Sequence, residues 1–191
     1  KDPKLREEWM QSDKKEFDGL LLDRQCAREE LLDDVLKANP NEEIIGSLTQ
    51  RKRKRNGQAK SRGCSRGDLM TQDVHYKRSH APTMMHVSQR MLFGLGCCCG
   101  MQFAGGDFNQ AFCNAPLDPS EHYYMYPPPG ARTHDDEGRR IVWRVVKSLY
   151  GGKNSARNWY KMLSKWLRSH GFKRCSTEPC VFTRRQQGNT M

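Results

Sequence analysis

Apolar residues recur at helical spacing along the first part of the chain. Leu5, Trp9, Phe17, Leu20 and Leu21 are followed by Leu31, Leu32, Val35 and Leu36, and this period predicts helix to about Ala38. Asn39-Pro40-Asn41 ends that stretch, because proline lacks a backbone donor and restricts the residue before it. Ile44-Ile45-Gly46 is a short apolar entry to a strand. Polarity then takes over in Arg51-Lys52-Arg53-Lys54-Arg55, followed by Asn56-Gly57, the signature of a type I′ hairpin. Lys60, Arg62 and Arg66 continue the run, so eight basic residues and no acid lie between Arg51 and Arg66. The pattern predicts a two-stranded basic ribbon.

Thr83 to Gly100 reads as a second helix, with Met84, Val87, Met91, Leu92 and Leu95 on one stripe. Gly94, Gly96 and Gly100 weaken its end, each costing about 1 kcal/mol relative to alanine in a helix interior. Gly94-x-Gly96-x-x-x-Gly100 is not a dinucleotide fingerprint, having one residue too many and following helix rather than strand. Met101 to Ala104 form a short strand-like segment leading to Gly105-Gly106-Asp107. Tyr123 to Gly130 is extended and stiffened by three prolines. Ile141 to Val146 is a β-branched strand preceded by a polar turn at Thr133–Gly138. Ser155 to His170 is an amphipathic helix on Trp159, Met162, Leu163, Trp166 and Leu167, with Gly171 as its C-terminal cap. Arg157, Lys161, Lys165 and Arg168 make a separate basic stripe on it. Val181-Phe182-Thr183 starts another strand.

Composition narrows the function classes. The 191 residues carry 33 Lys+Arg against 22 Asp+Glu, a net charge of +11, with 36% apolar residues and a mean hydropathy of −0.91. That is one domain, or one and part of another, around a small core. No apolar run reaches the roughly 18 residues of a membrane span, and the N-terminus lacks the layout of a signal peptide. The expectation is an intracellular protein, cytoplasmic or nuclear, not secreted and not in a membrane. The missing initiator Met suggests a piece cut from something longer. Eight cysteines without any Cys-x-x-Cys pair read as small buried thiols. His170, Cys175 and Cys180, five apart, lack the tight pairs of a structural zinc site. The basic run at 51–66 has a bland reading, a solvated face or a nuclear-localisation tract, and a sharper one, a ribbon that contacts phosphates. Arg157, Lys161 and Lys165 on the last helix would be a second such patch. Asp107 beside glycines is by itself most often a turn or cap residue.

Three blocks resemble one family. Asp107-Phe108-Asn109-Gln110-Ala111-Phe112-Cys113-Asn114-Ala115-Pro116-Leu117 is similar to the Asp-x-x-x-Ala-Phe-Leu-(Asn/His)-Gly-x-Leu block of copia-type retrotransposon reverse transcriptases. Tyr124-Met125-Tyr126-Pro127-Pro128-Pro129-Gly130 resembles that family's Tyr-Met-x-x-Pro-Pro-Gly. Lys147-Ser148-Leu149-Tyr150-Gly151-Gly152-Lys153-Asn154-Ser155-Ala156-Arg157-Asn158-Trp159-Tyr160 resembles Lys-Ser-Leu-Tyr-Gly-Leu-Lys-Gln-Ala-Pro-Arg-x-Trp-Tyr. Glu178-Pro179-Cys180-Val181-Phe182 fits the block that follows. The likeness is firm from about residue 68 and looser before it, where Ile44-Ile45-Gly46-Ser47, Lys60-Ser61-Arg62 and His80-Ala81-Pro82 occupy the family's corresponding positions.

The resemblance implies an α+β right-hand polymerase: a helical segment over 1–43, a fingers-like basic hairpin region over 44–82, and a partial palm over 83–191 with an antiparallel sheet backed by helices. It implies template-directed DNA synthesis on an RNA or DNA template-primer from dNTPs, by phosphoryl transfer assisted by two Mg²⁺ ions. Asp107 would be the first metal-binding carboxylate, with the Phe108 carbonyl beside it. Phe112 would gate against a ribose 2′-hydroxyl, and Lys60 and Arg62 would hold the triphosphate. Tyr150, Gly151 and Lys153 would line the nucleotide and template side. Arg51, Lys52, Arg53, Lys54 and Arg55 would follow the nucleic-acid backbone, and the remainder of a Pol polyprotein would be a partner.

Departures from the family pattern qualify this. The family's second and third carboxylates come from a Tyr-x-Asp-Asp hairpin beyond the last block, and the only Asp pair after Asp107, Asp135-Asp136, lies in a polar turn upstream. One carboxylate does not hold two Mg²⁺ ions, so this chain alone is expected not to polymerise. Leu48-Thr49-Gln50-Arg51 and Gly63-Cys64-Ser65 stand where the family is apolar, which predicts a poorly anchored hairpin. Gly152 and Ala156 replace Leu and Pro, which predicts a loosened loop. These changes read as drift, and the rival reading is a non-catalytic basic nucleic-acid-binding protein derived from a degenerate retroelement.

Overall fold

The computed structural model describes residues 3–185. Helix α1 (Pro3–Asp18) runs into a π-helical turn, Gly19–Asp23, followed by strand β1 (Ala27–Leu31) and helix α2 (Leu32–Ala38). Strands β2 (Ile44–Ile45), β3 (Ser47–Arg53) and β4 (Ala59–Ser65) precede helix α3 (His86–Cys98). After a 3-10 turn at Ala111–Asn114 come β5 (Tyr123–Met125), β6 (Ile141–Val145), helix α4 (Ser155–Ser169), β7 (Lys173–Arg174) and β8 (Phe182–Thr183). The fold is mixed α+β, as expected.

The central sheet has the order β1-β6-β5-β2. Period-2 alternation sends Tyr123, Met125, Trp143 and Val145 to one face, where Phe17 and Leu20 cover them. Phe17 meets Trp143 edge-on with ring centroids 6.0 Å apart. Tyr124 and Val142 point to the other face and meet Leu32 and Val35 of α2. Elements from all three sequence stretches, 1–43, 44–82 and 83–191, contribute to this one sheet.

Several expectations are corrected. The apolar period up to Ala38 is not continuous helix: β1 interrupts it. Ala27–Leu31 is built from good helix formers, yet it pairs antiparallel with β6 from Ala27↔Val145 to Leu31↔Ile141. Tertiary pairing overrides the local preference, helped by Glu29–Arg132 (2.6 Å) and Glu30–Arg144 (3.4 Å) ion pairs. The sheet is not purely antiparallel, because β2 runs parallel to β5 (Ile44↔Tyr124, Ile45↔Met125). The 77 residues between Ile45 and Tyr123 make room for the crossover such pairing needs. Residues 101–104 form no strand. Of the cysteines, Cys26, Cys64 and Cys113 are buried, but Cys97, Cys98 and Cys99 are exposed on and just after α3.

The basic ribbon forms as β3–β4, in register from Ser47↔Ser65 to Arg53↔Ala59. Its turn is not type I′, since Asn56 keeps a negative φ and only Gly57, at +81°, is left-handed. Gly57 N–H donates to the Lys54 carbonyl and Lys54 N–H to the Gln58 carbonyl, both at 2.9 Å, the three-residue hairpin class in which glycine forms a bulge. The hairpin is well anchored, by polar groups in place of apolar ones. Asp13 of α1, 3% exposed, accepts from the Arg51 guanidinium and from the Ser61 hydroxyl (2.5 Å). Glu8 accepts from Arg53 (2.7 Å), and Glu16 from Gly63 N–H (3.3 Å). Gly63 also lets Leu20 and Phe17 approach, where a Cβ would crowd both.

Two helices behave differently. The last helix closes as expected: Gly171 (φ +82°) donates to the Arg168 carbonyl and Phe172 to that of Leu167, both at 3.1 Å, a Schellman cap. The earlier helix, α3, forms from His86, but its stripe stays at the surface, with only Gly96 of its residues buried.

Candidate functional site

Strand β4 alternates between two faces. Ser61 and Gly63 face α1, so Lys60 and Arg62 must face the other way. Residue Tyr150 is laid against the end of β4 by its carbonyl, which accepts from Ser65 N–H at 2.9 Å. This brings Arg62 over the Tyr150 ring, 4.7 Å from guanidinium carbon to centroid, a cation–π contact. Phe112 packs on the same ring, with centroids 5.3 Å apart. The 3-10 turn that carries Phe112 is docked by Ala115 and Leu117, which exchange backbone bonds with Ser148 and Val146 at 2.8 and 3.0 Å.

The resulting cleft has a volume of about 360 Å³, and Lys60, Arg62, Asp107, Phe112 and Tyr150 all line it, together with Arg24. Thus residues from position 24 to position 150 converge on one place. Burial raises the Tyr150 phenol above its ordinary value; the Arg62 charge opposes that rise and Asp107 adds to it. The phenol therefore stays protonated at neutral pH. Phe108 sits at the rim, edge-on to Trp159 of α4 at 5.0 Å.

A second groove, about 350 Å³, continues from Lys60 and Arg62 along the hairpin past Lys52, Lys54 and Arg55. The five consecutive basic residues do not act alike. Arg51 and Arg53 are paired with Asp13 and Glu8, whereas Lys52, Lys54 and Arg55 carry no ion pair among the described residues. Gly151 and Lys153 lie outside the cleft. Gly151, at φ +85°, presses its backbone on Ser65, and Lys153 N–H donates to the Met70 sulfur at 3.4 Å. The loop they belong to is tight, since Gly67 and Gly151 meet backbone to backbone and Ser155 Oγ donates to the Leu149 carbonyl at 2.6 Å. On α4, Arg157 donates to the His80 carbonyl (3.1 Å), while Lys161 and Lys165 are exposed.

A larger cavity, about 710 Å³, lies elsewhere, between α1 and the sheet around Trp143. Its cations, Lys14, Arg51 and Arg132, stand among Glu7, Asp13, Asp18 and Glu29, and Arg51 and Arg132 are already ion-paired, so the smaller cleft is the better anion site. Sequence reasoning missed Arg24 and Glu16. Arg24 follows a π-helical turn that no local pattern announces. Glu16, 8% exposed, accepts from Gln110 Nε2 at 3.3 Å and so ties the Asp107–Phe112 stretch to α1. Gln110 is itself left-handed, φ +48°, a conformation that short polar side chains tolerate better than glutamine does.

The fit to Mg²⁺ can be tested on the donor set. The cleft offers one carboxylate, Asp107, facing three cations, and no group of three metal-ligating side chains occurs among the described residues. Asp135 is turned into its own loop, bound by Arg139 at 2.7 Å. Hard divalent ions want several oxygen ligands, so the residues present do not fit a two-ion site.

A cationic cleft with an aromatic wall suits a polyanion bearing a flat ring. The comparisons give the class to which such a chain belongs. The family model described as Reverse transcriptase (RNA-dependent DNA polymerase) matches residues 34–191. The chain therefore belongs to the reverse transcriptase family, in its copia-type branch. It is 29% identical over 191 residues to the Transposon Ty1-H Gag-Pol polyprotein of Saccharomyces cerevisiae and 28% identical to the Ty1-LR2 Gag-Pol polyprotein of the same yeast. Each match covers 97% of this chain and 10% of the polyprotein, so the chain spans about a tenth of the curated relatives' length. No solved structure matches it.

Proposed function

We propose that this chain is the fingers and N-terminal palm portion of a retroelement reverse transcriptase, and that its cleft is the incoming-nucleotide side of the site. The observation that carries the reading is the convergence of Lys60 and Arg62 from the hairpin with Asp107, Phe112 and Tyr150 in one cleft. In this reading Lys60, Arg62 and Arg24 hold the triphosphate, while the Phe112 and Tyr150 rings pack against the sugar and base. The groove along Lys52, Lys54 and Arg55 follows the template-primer backbone. The chemistry in the complete enzyme would be metal-assisted phosphoryl transfer, for which Asp107 supplies one ligand. No step follows from one carboxylate alone, and the chain by itself is read as inactive.

Equilibrium binding of a deoxynucleoside triphosphate tests this. Without divalent ions, Arg62→Ala should weaken binding by roughly tenfold, the loss of one charge-assisted contact. Asp107→Ala should leave it unchanged or slightly tighter, since it removes a like charge. No saturable binding, or indifference to Arg62→Ala, would overturn the nucleotide reading. Asp107-dependent primer extension by this chain would overturn the inactivity.

A second reading, a basic nucleic-acid binder without catalysis, is favoured by the cleft's single carboxylate and by hairpin lysines that carry no ion pair among the described residues. It predicts salt-sensitive binding to nucleic acid that depends on Lys52 and Lys54 and is indifferent to Tyr150.

A further inference from the structure

From Met91 to Met101 there is no polar side chain, only apolar residues, glycine and cysteine. A helix that is apolar nearly all round is ordinarily buried, yet Val87, Met91 and Leu95 of α3 are 58–62% exposed. One side of α3 is covered by its own sequel. Phe103 folds back onto Gly96, where a Cβ would collide with its ring, and meets Phe93 at 5.3 Å. The opposite side carries Val87, Met91, Gly94 and Cys98, at spacings of four, three and four. That is the alternation of a heptad seam. Gly94 has open space around it, and Cys98 is exposed.

We propose that this seam is an interface with a second copy of the chain, two α3 helices packing antiparallel about a two-fold axis. The argument for a second copy is self-complementarity. With the axis between Met91 and Gly94, Met91 of each copy lies opposite Gly94 of the other, and Val87 opposite Cys98. Large side chains thus meet small ones at every level of the seam, which is what close helix packing requires. The symmetry is isologous, so the same patch serves both copies. The seam side of α3, Val87, Met91 and Leu95 with Gly94 and Cys98, presents on the order of 400 Å², about half of what each partner gives up in a standard interface, so the association is a weak one that forms at high chain concentration. The seam bears no charge, which matters between two chains of net charge +11 each. Salt should therefore strengthen this association by screening the repulsion, whereas it weakens contacts with nucleic acid.

The test is light scattering on nuclease-treated chain in high salt, at roughly 50 µM, above the micromolar constants of weak standard interfaces. The expected result is a discrete dimer whose fraction rises with salt, and a halved mass for Met91→Glu with unchanged circular dichroism. Val87→Cys, in a Cys97→Ser, Cys99→Ser background, reports the register: under mild oxidation two thiols lose their protons and two electrons to the added oxidant and form one disulfide. The bond should join position 87 to Cys98 of the other copy. A wild-type chain that stays monomeric, aggregates without a discrete dimer, or dimerises equally well as Met91→Glu would overturn the proposal. A crosslink joining position 87 to position 87 would overturn the antiparallel register.

Discussion

Asp13→Ala should loosen the basic hairpin without touching the cleft. Asp13 is 3% exposed and holds two partners, the Ser61 hydroxyl at 2.5 Å and the Arg51 guanidinium. Burial pushes its carboxyl up, but the bonds from Arg51 and Ser61 outweigh burial and set it below the ordinary 3.8. Removing it leaves the buried Ser61 hydroxyl unpaired, at a cost of about 1–3 kcal/mol. Arg51 is 45% exposed and regains water, so its lost ion pair adds no more than about 1 kcal/mol. The total of about 1–4 kcal/mol corresponds to a fall in Tm of roughly 3–12 °C for a chain of this size. The loss should also be local. The hairpin is rich in trypsin sites, so limited proteolysis should cleave within 51–66 several-fold faster as the hairpin opens. Asp13→Asn, which keeps one acceptor, should fall between. If Asp13→Ala melts with the wild type, or no more easily than the exposed control Lys14→Ala, the α1 carboxylates do not anchor the hairpin and the argument fails.

The other predictions concern pH, backbone and charge. Burial holds the Glu16 carboxyl above the ordinary 4.5, against the opposing Gly63 N–H and the Arg24 charge. A raised folded pKa favours the protonated form, so that contribution is complete below 4.5 and is lost as pH rises through the elevated value. Thermal melts from pH 4 to 8 should show Glu16→Gln losing less stability with rising pH than the wild type, and parallel curves would count against it. Gly151→Ala puts a Cβ against the Ser65 carbonyl at φ +85°, so it should cost about 2–4 kcal/mol in denaturant unfolding; a neutral substitution would mean the loop is not packed as described. Lys52→Ala with Lys54→Ala should lower the slope of log affinity against log salt for a DNA duplex by about 2, while Arg51→Ala, already paired, changes it by less than about 1.

The sequence carried the strands and helices whose local and tertiary preferences agree. Ile141–Val145 is β-branched and buried, and α4 has both its stripe and its glycine cap, so each was readable from a short window. β1 was not, because Ala-Arg-Glu-Glu-Leu favours helix and becomes a strand only when β6 lies beside it. The hairpin was placed correctly and its anchoring was not. Loss of apolar residues from β3 and β4 reads as weakness unless one knows that Glu8, Asp13 and Glu16, spaced five and three apart on α1, line up against Arg53, Ser61 and Gly63. Lys60, Arg62, Asp107, Phe112 and Tyr150 were all named from motifs, and their convergence depends on contacts 40 to 90 residues apart that no spacing displays. Gly151 and Lys153, adjacent to Tyr150 in the same motif, turn away from the cleft because Gly151 must close against Ser65.

The site's geometry depends on residues outside the stretch that defines the family. The family match begins at residue 34, yet Glu16 and Arg24 precede it. Residues 101–104 join no sheet, so nothing like a strand ladder fixes the approach to Asp107. The turn that follows is held instead by Gln110 on Glu16, whose other oxygen accepts from Gly63 N–H between Arg62 and Cys64. One buried carboxylate therefore sets the distance between the Asp107 turn and the strand that carries Lys60 and Arg62. A strand-borne aspartate would be positioned by many backbone bonds; this one is tied to α1 by a single side-chain bridge, with Phe108 against Trp159 on one side and the docked 3-10 turn following it. The separation of Asp107 from the hairpin cations should consequently be the softest dimension of the cleft, and α1 the element that governs it.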